Sequence, residues 1–170
     1  MHRWIVIAIV LSSASARADD SGFLGAGVVV GVDRFIHAAV TLEGGIKLPD
    51  VPLWVHAVAA TGGAGDFEGG GPYKRLLGGI ETRSCSSIYL CLSLDLDAGY
   101  QSVTWVGDTG DPDEHYKGMA LAGRIGIDTG GEHVRFRAAL EIITVHDRSN
   151  VTSPAWDSGT GLAIGLAYQM

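Results

Sequence analysis

The chain has 170 residues, 46% of them apolar, with 19 acidic against 12 basic side chains and a formal net charge of −7. An acidic balance excludes a nucleic-acid partner, because phosphate binding needs a basic surface. Past the N-terminus no run reaches the roughly 18 consecutive apolar residues of a spanning helix, which excludes a helical membrane protein.

Residues 1–18 have the layout of an export signal. Arg3 supplies a positive start, WIVIAIVL is an apolar stretch of about eight residues, and SSASARA ends in an A-x-A pattern at Ala16-Arg17-Ala18. Cleavage is expected after Ala18, leaving one domain over residues 19–170. That cut removes Arg3 and Arg17, so ten basic residues then face nineteen acidic ones and the net charge becomes −9.

From residue 23 onward apolar residues recur at every second position. Residues 23–33 place Leu24, Ala26, Val28, Val30 and Val32 opposite Gly25, Gly27, Val29, Gly31 and Asp33. Residues 36–48 set Ile36, Ala38, Val40, Leu42, Ile46 and Leu48 against His37, Thr41, Glu43, Gly45 and Lys47. Residues 53–61 alternate least, since both faces are apolar or small. Residues 73–83 oppose Leu76, Gly78 and Ile80 to Arg75, Leu77, Gly79, Glu81 and Arg83. The fifth segment is the most regular: Leu90, Leu92, Leu94, Leu96, Ala98 and Tyr100 against Ser93, Asp95, Asp97, Gly99 and Gln101. Residues 116–128 follow with Met119, Leu121, Ile125 and Ile127 opposite Ala120, Ala122, Arg124 and Gly126. Val134, Phe136, Ala138, Leu140 and Ile142 oppose Arg135, Arg137, Ala139 and Glu141, and the last segment sets Leu162, Ile164, Leu166, Tyr168 and Met170 against Gly161, Ala163, Gly165, Ala167 and Gln169. A period of two over such lengths means strands. Most of these eight reach about ten residues, as a tilted bilayer-crossing strand requires. The predicted fold class is all-β: an eight-stranded antiparallel up-and-down transmembrane β-barrel.

The two faces decide the orientation. In a soluble lipocalin-like barrel the bulky apolar face points inward and a charged face meets water. Here the second face mixes Gly and Ala with Glu43, Glu81, Asp95, Asp97, Glu141, Lys47, Arg75, Arg83, Arg124, Arg135 and Arg137. Small residues suit a crowded interior, and opposed charges can pair there. The continuous Leu/Val/Ile face suits lipid. A lumen charge network is therefore expected from Glu43, Glu81, Asp95, Asp97, Arg124, Arg135, Arg137 and Glu141. With the N-terminus in the periplasm, the turns around residues 48–52, 84–87 and 128–133 are short. The outer connections at 62–72, 107–115 and 147–157 are predicted longer, with a tight one near Asp33-Arg34. The glycines Gly62, Gly63, Gly65, Gly69, Gly70 and Gly71 are read as a flexible loop. No G-K-[ST] follows them, so this is no phosphate loop. Trp54, Trp105, Trp156, Tyr73, Tyr100, Tyr116 and Tyr168 lie near strand ends, where aromatic girdles sit.

This pattern resembles the small outer-membrane β-barrels grouped with the transmembrane domain of outer membrane protein A. The resemblance covers residues 19–170. Its sharpest element is Ala163-Ile164-Gly165-Leu166-Ala167-Tyr168-Gln169-Met170. Gly165 and Tyr168 match the family's terminal assembly signal, and Met170 stands where that family usually ends in Phe. The resemblance implies insertion by the barrel-assembly machinery, residence in the cell outer membrane of a Gram-negative cell, and outer-membrane lipid and lipopolysaccharide as neighbours. A monomer is expected, with no peptidoglycan-binding module after the barrel.

Cys85 and Cys91 flank five residues, a spacing that fits no zinc site. If the fourth and fifth segments pair about Ile88, the two thiols face each other across a hairpin. A disulfide there contributes at most a few kcal/mol because its loop is short; two reduced thiols are the alternative. His37 and His56 read as lumen or interface polar groups. The acidic loop Asp108, Asp111, Asp113 and Glu114 matches no calcium cage. His146 and Ser149 resemble the residues of outer-membrane lipid A deacylases only superficially, because two residues separate them. No cofactor is implied and no catalytic residue is assigned. The expected role is structural or surface-interacting, with a side-chain-filled lumen. The alternatives are a narrow channel for ions or small solutes and, after it, an outer-membrane lipid-modifying enzyme.

Overall fold

The computed structural model describes residues 21–33, 35–65, 69–87, 89–107, 114–147 and 156–170. The expected export signal, Arg34, Ile88 and the acidic residues Asp108, Asp111 and Asp113 lie outside them, as does Ser149.

Eight strands form a closed, wholly antiparallel barrel in chain order. They are β1 (Gly22–Val32), β2 (Ile36–Lys47), β3 (Leu53–Gly65), β4 (Gly69–Ser87), β5 (Leu90–Gly107), β6 (Glu114–Gly130), β7 (Val134–Asp147) and β8 (Trp156–Gln169). β8 returns to β1, with Leu24 opposite Tyr168 and Val30 opposite Leu162. Closure gives the end strands partners and removes the edges that long apolar strands would otherwise expose. The C-terminus is tied in as well: Ser21 N donates to Met170 O and Met170 N donates to Gly22 O.

Alternation sorts the side chains as the period of two requires. Leu24, Leu42, Ile46, Leu76, Leu96, Leu140 and Ile142 point outward, each about 60% exposed. Every strand contributes to this apolar belt. The intervening positions face a narrow interior. Where bulk would prevent closure the inward residue is glycine: Gly27 lies opposite Gly165 across the β1–β8 seam. A Cβ on Gly27 would meet Gly165 Cα at 2.8 Å.

At the end carrying both chain termini the turns are compact. Asp50 (φ 62°) sits in the β2–β3 turn, a conformation its short polar side chain tolerates. Gly130 (φ 147°) closes β6 where other residues would be strained. A β-bulge between Cys85 and Ser87 precedes the β4–β5 hairpin.

The distal end differs from the sequence reading in one connection. The six glycines read as a flexible loop, from Gly62 to Gly71, all lie within β3 and β4, with Gly63 opposite Pro72 and Gly65 opposite Gly70. Cross-strand pairing supplies the order that their composition withholds. The β3–β4 connection is thus short, and only residues 108–113 and 148–155 separate strands widely at this end.

Closure predicts a sharp contrast between two glycines. Gly27→Val should cost about 3 kcal/mol through overpacking of the seam. Gly131→Ala, with nothing within 4 Å of the added carbon, should be neutral. Denaturant titration of the detergent-refolded barrel measures both.

Candidate functional site

The inward face assembles charges into one buried layer. Arg137 on β7 spans the lumen: Nη1 donates to Glu43 on β2 (2.7 Å), Nη2 to Glu81 on β4 (2.8 Å) and Nε to Asp128 on β6 (2.9 Å). Arg124 on β6 lies 3.0 Å from Asp97 and 3.2 Å from Asp95, both on β5, and 3.8 Å from Glu43. Arg75 grips Glu141 with two parallel bonds of 2.6 and 3.0 Å across the barrel. Arg83 pairs bidentately with Glu81 at 2.5 and 3.0 Å. In a dry interior these charges are tolerable only because nearly every one meets an opposite charge at hydrogen-bond distance.

Of the expected network, Glu43, Glu81, Asp95, Asp97, Arg124, Arg137 and Glu141 are brought into this layer. Arg135 reaches elsewhere, donating to Cys91 Sγ at 3.0 Å and to Asp128 O. Asp128 joins the network; the sequence reading placed it at the boundary, both ending the segment 116–128 and starting the turn 128–133. β6 continues to Gly130, so Asp128 falls on the same face as Arg124 and Gly126. His56 is also central: Nε2 meets Asp97 Oδ1 at 2.5 Å and Nδ1 lies 3.5 Å from Glu81 Oε2.

Aromatic and apolar layers bound the charges on both sides. Toward the terminal end Phe23 packs edge-on against Trp54, and the Arg83 guanidinium lies 4.6 and 4.4 Å from the two ring centroids. Such cation–π contacts add to the ion pairs that Arg83 makes with Glu81 and, at 3.8 Å, with Asp128. Toward the distal end Leu77, Ala120, Ala122, Ile143 and Val145 form one buried cluster. Val29, Phe35, Ala39, Ala60, Ala64, Tyr73 and Val103 form another. Tyr73 donates to Gln101 (3.0 Å), Gln101 donates to Asp33 (2.8 Å), and His37 stacks on the Tyr73 ring at 4.6 Å.

These layers correct the girdle reading. Trp54 and Tyr73 are buried inside the barrel, and Tyr116 packs on Phe35 within the distal cluster. Nearness to a strand end does not tell which face a ring occupies; parity does. Tyr100, Tyr168 and Trp156 face outward, while the Trp105 side chain lies outside the described residues.

The space left over is small. The central cavity, bordered by Glu43, Arg75, Asp95, Arg124, Arg137 and Glu141, measures about 40 Å³, room for a few waters at most. Cys85 and Cys91 stand opposite each other at the terminal end and form a disulfide. Gly165 faces the lumen, whereas Tyr168 and Met170 project outward. His146 lies against Trp156 at the distal rim. His56, Glu81 and Asp95 bring one donor atom each to within 4.8 Å of one another.

No family model matches the chain, and neither does any curated protein sequence. Solved structures do. Ail, the attachment invasion locus protein of Yersinia pestis, superposes with a TM-score of 0.62 at 14% identity, covering 89% of this chain and 99% of that one. Neisserial surface protein A gives 0.65 at 8% identity, covering 88% and 96%. The N-terminal β-barrel domain of Pseudomonas aeruginosa OprF gives 0.57 at 12% identity, covering 89% and 100%. The chain shares the fold of small eight-stranded outer-membrane β-barrels.

Buried pairing sets the expected response to mutation. Arg75→Met should cost about 3–5 kcal/mol by leaving Glu141 uncompensated, whereas the double variant Arg75→Met, Glu141→Leu should recover most of that loss. Urea unfolding followed by tryptophan fluorescence reads both values.

Proposed function

We propose that the chain is an integral outer-membrane protein whose barrel is a closed scaffold and whose distal connections make its contacts. The observation that carries this reading is the unbroken apolar belt combined with an ion-paired interior. Water would be a poor solvent for that outside, and lipid a good one.

Both termini then lie on the periplasmic side, and residues 33–35, 66–68, 108–113 and 148–155 join strands on the outer side. The two widest connections fall on that side, as such barrels arrange them. Attachment is named in the description of one structural neighbour, and a closed barrel presenting loops at one end suits contact-making. On this reading lipopolysaccharide and lipid cover the belt, the protein is a monomer, and Gly165, Tyr168 and Met170 serve as the signal read by the barrel-assembly machinery.

A channel is the weaker reading. The central cavity of about 40 Å³ lies between apolar clusters and the Phe23–Trp54 layer. Eight strands leave an interior that side chains just fill.

Heat-modifiable gel migration in detergent is expected, and a mature chain that stays soluble without detergent contradicts the membrane assignment. Leu96→Arg, on the belt, should cost about 2–4 kcal/mol in lipid vesicles. In planar bilayers the wild-type protein should give no discrete current steps; regular steps would favour the channel.

A further inference from the structure

On β4, β5 and β6 the apolar belt ends distally on one polar row. Lys74 stands opposite Ser102, and Ser102 stands opposite Lys117. Alternation turns all three outward, since their neighbours Tyr73, Arg75, Gln101, Val103 and Gly118 are buried, and both lysines are exposed. The next outward residues toward the chain termini are Leu76, Tyr100 and Met119, all exposed members of the belt. The lysines therefore sit where the belt stops.

A pair of cations in that place calls for an anion. Two interstrand spacings, about 10 Å, separate the lysine Cα atoms. Each ammonium rides on a flexible four-carbon stem, so both can close on one anion above the Ser102 hydroxyl. Among the described residues neither ammonium meets a carboxylate. The described strand carboxylates turn inward: Glu81, Asp95, Asp97, Asp128 and Glu141 are buried, and Glu43 is held by Arg137. Asp157 alternates inward between the exposed Trp156 and Ser158.

The surface below the row fits apolar chains. Gly44, Ala57, Gly78 and Ala98 follow one another in direct register across β2 to β5, all on the outward face. These small residues leave the belt indented. A shallow groove of about 670 Å³ continues from Gly78 and Ala98 to Gly123, walled by Ile80, Leu96 and Leu121. It begins four residues along the strands from the lysine row, roughly 13 Å. A soluble anion would use the row alone; a lipid would use the row and the groove together.

We propose that Lys74, Ser102 and Lys117 hold a phosphate monoester of an outer-leaflet phosphoglycolipid, with an acyl chain lying in the groove beneath. This rests on the orientation proposed above, which sets the distal end at the outer leaflet. A monoester carries nearly two negative charges at neutral pH, and two ammonium groups balance it; a phosphodiester carries only one.

Native mass spectrometry of the full-length mature barrel, released from detergent, counts the lipid it retains. Bisphosphorylated lipid A should be preferred over dephosphorylated lipid A by about fivefold for each lysine, roughly 30-fold in all. The double variant Lys74→Gln, Lys117→Gln should lose that preference, and Lys74→Arg, Lys117→Arg should keep most of it. Three results overturn the proposal: no preference in the wild type, as when the acidic connection after β5 neutralises the lysines; a preference that survives the double glutamine variant; or equal retention of phosphatidylglycerol, a diester. Heat-modifiable migration of the same samples reads the barrel separately. A wild-type protein that migrates as a barrel yet shows no phosphate preference overturns this site and leaves the membrane reading standing.

Discussion

Arg137 ties four strands together. Its guanidinium on β7 meets Glu43 on β2, Glu81 on β4 and Asp128 on β6. β6 is the neighbour of β7, with Asp128 directly opposite Arg137, but β2 and β4 are not paired with β7 and reach it only through the lumen. Strand number and register set the barrel's diameter. The guanidinium fork, with five donors in a rigid plane, braces its opposite walls from the inside. Arg75 with Glu141 and Arg124 with Glu43 repeat the cross-lumen arrangement. The interior is thus held by directional, charge-assisted bonds, and the apolar residues are left for the outside.

That inversion explains the rest of the sequence. Small residues crowd the inward positions because the long arginine and glutamate side chains need the volume. Gly27, Gly79, Gly99 and Gly126 sit where a Cβ would collide with an adjacent strand or side chain. Val29, Leu77, Tyr73 and Ile143 are bulky exceptions, and they form the clusters that bound the charged layer. A lumen filled in this way leaves a central cavity of only about 40 Å³.

Much of this was legible in the sequence because the period of two is imposed by the strand itself. Every one of the eight segments exists, and Cys85 and Cys91 face each other as pairing about Ile88 requires. The errors came where a local signal competed with a long-range one. Asp128-Thr129-Gly130 has the composition of a turn, yet β7 pairs as far as Gly130 and carries Asp128 into the lumen. The glycines from 62 to 71 have the composition of a loop, yet β3 and β4 zip through them. Trp54 and Tyr73 were placed by nearness to strand ends, where parity would have put them inside. His56 was legible as a lumen or interface polar group, but its contacts with Asp97 and Glu81 were not, since those residues arrive from two other strands. At identities of 8–14% the structural neighbours share the fold and leave the contacts of the distal end to be found for this chain itself.

The central claim is that the Leu96 face meets lipid while the Trp54 face is sealed inside. Quenching of tryptophan fluorescence by brominated lipid tests it directly in reconstituted vesicles. One variant keeps Trp54 as its sole tryptophan; a second carries a sole tryptophan at position 96. The account predicts strong quenching at position 96 and little at Trp54. Equal quenching, or stronger quenching of Trp54, would contradict it.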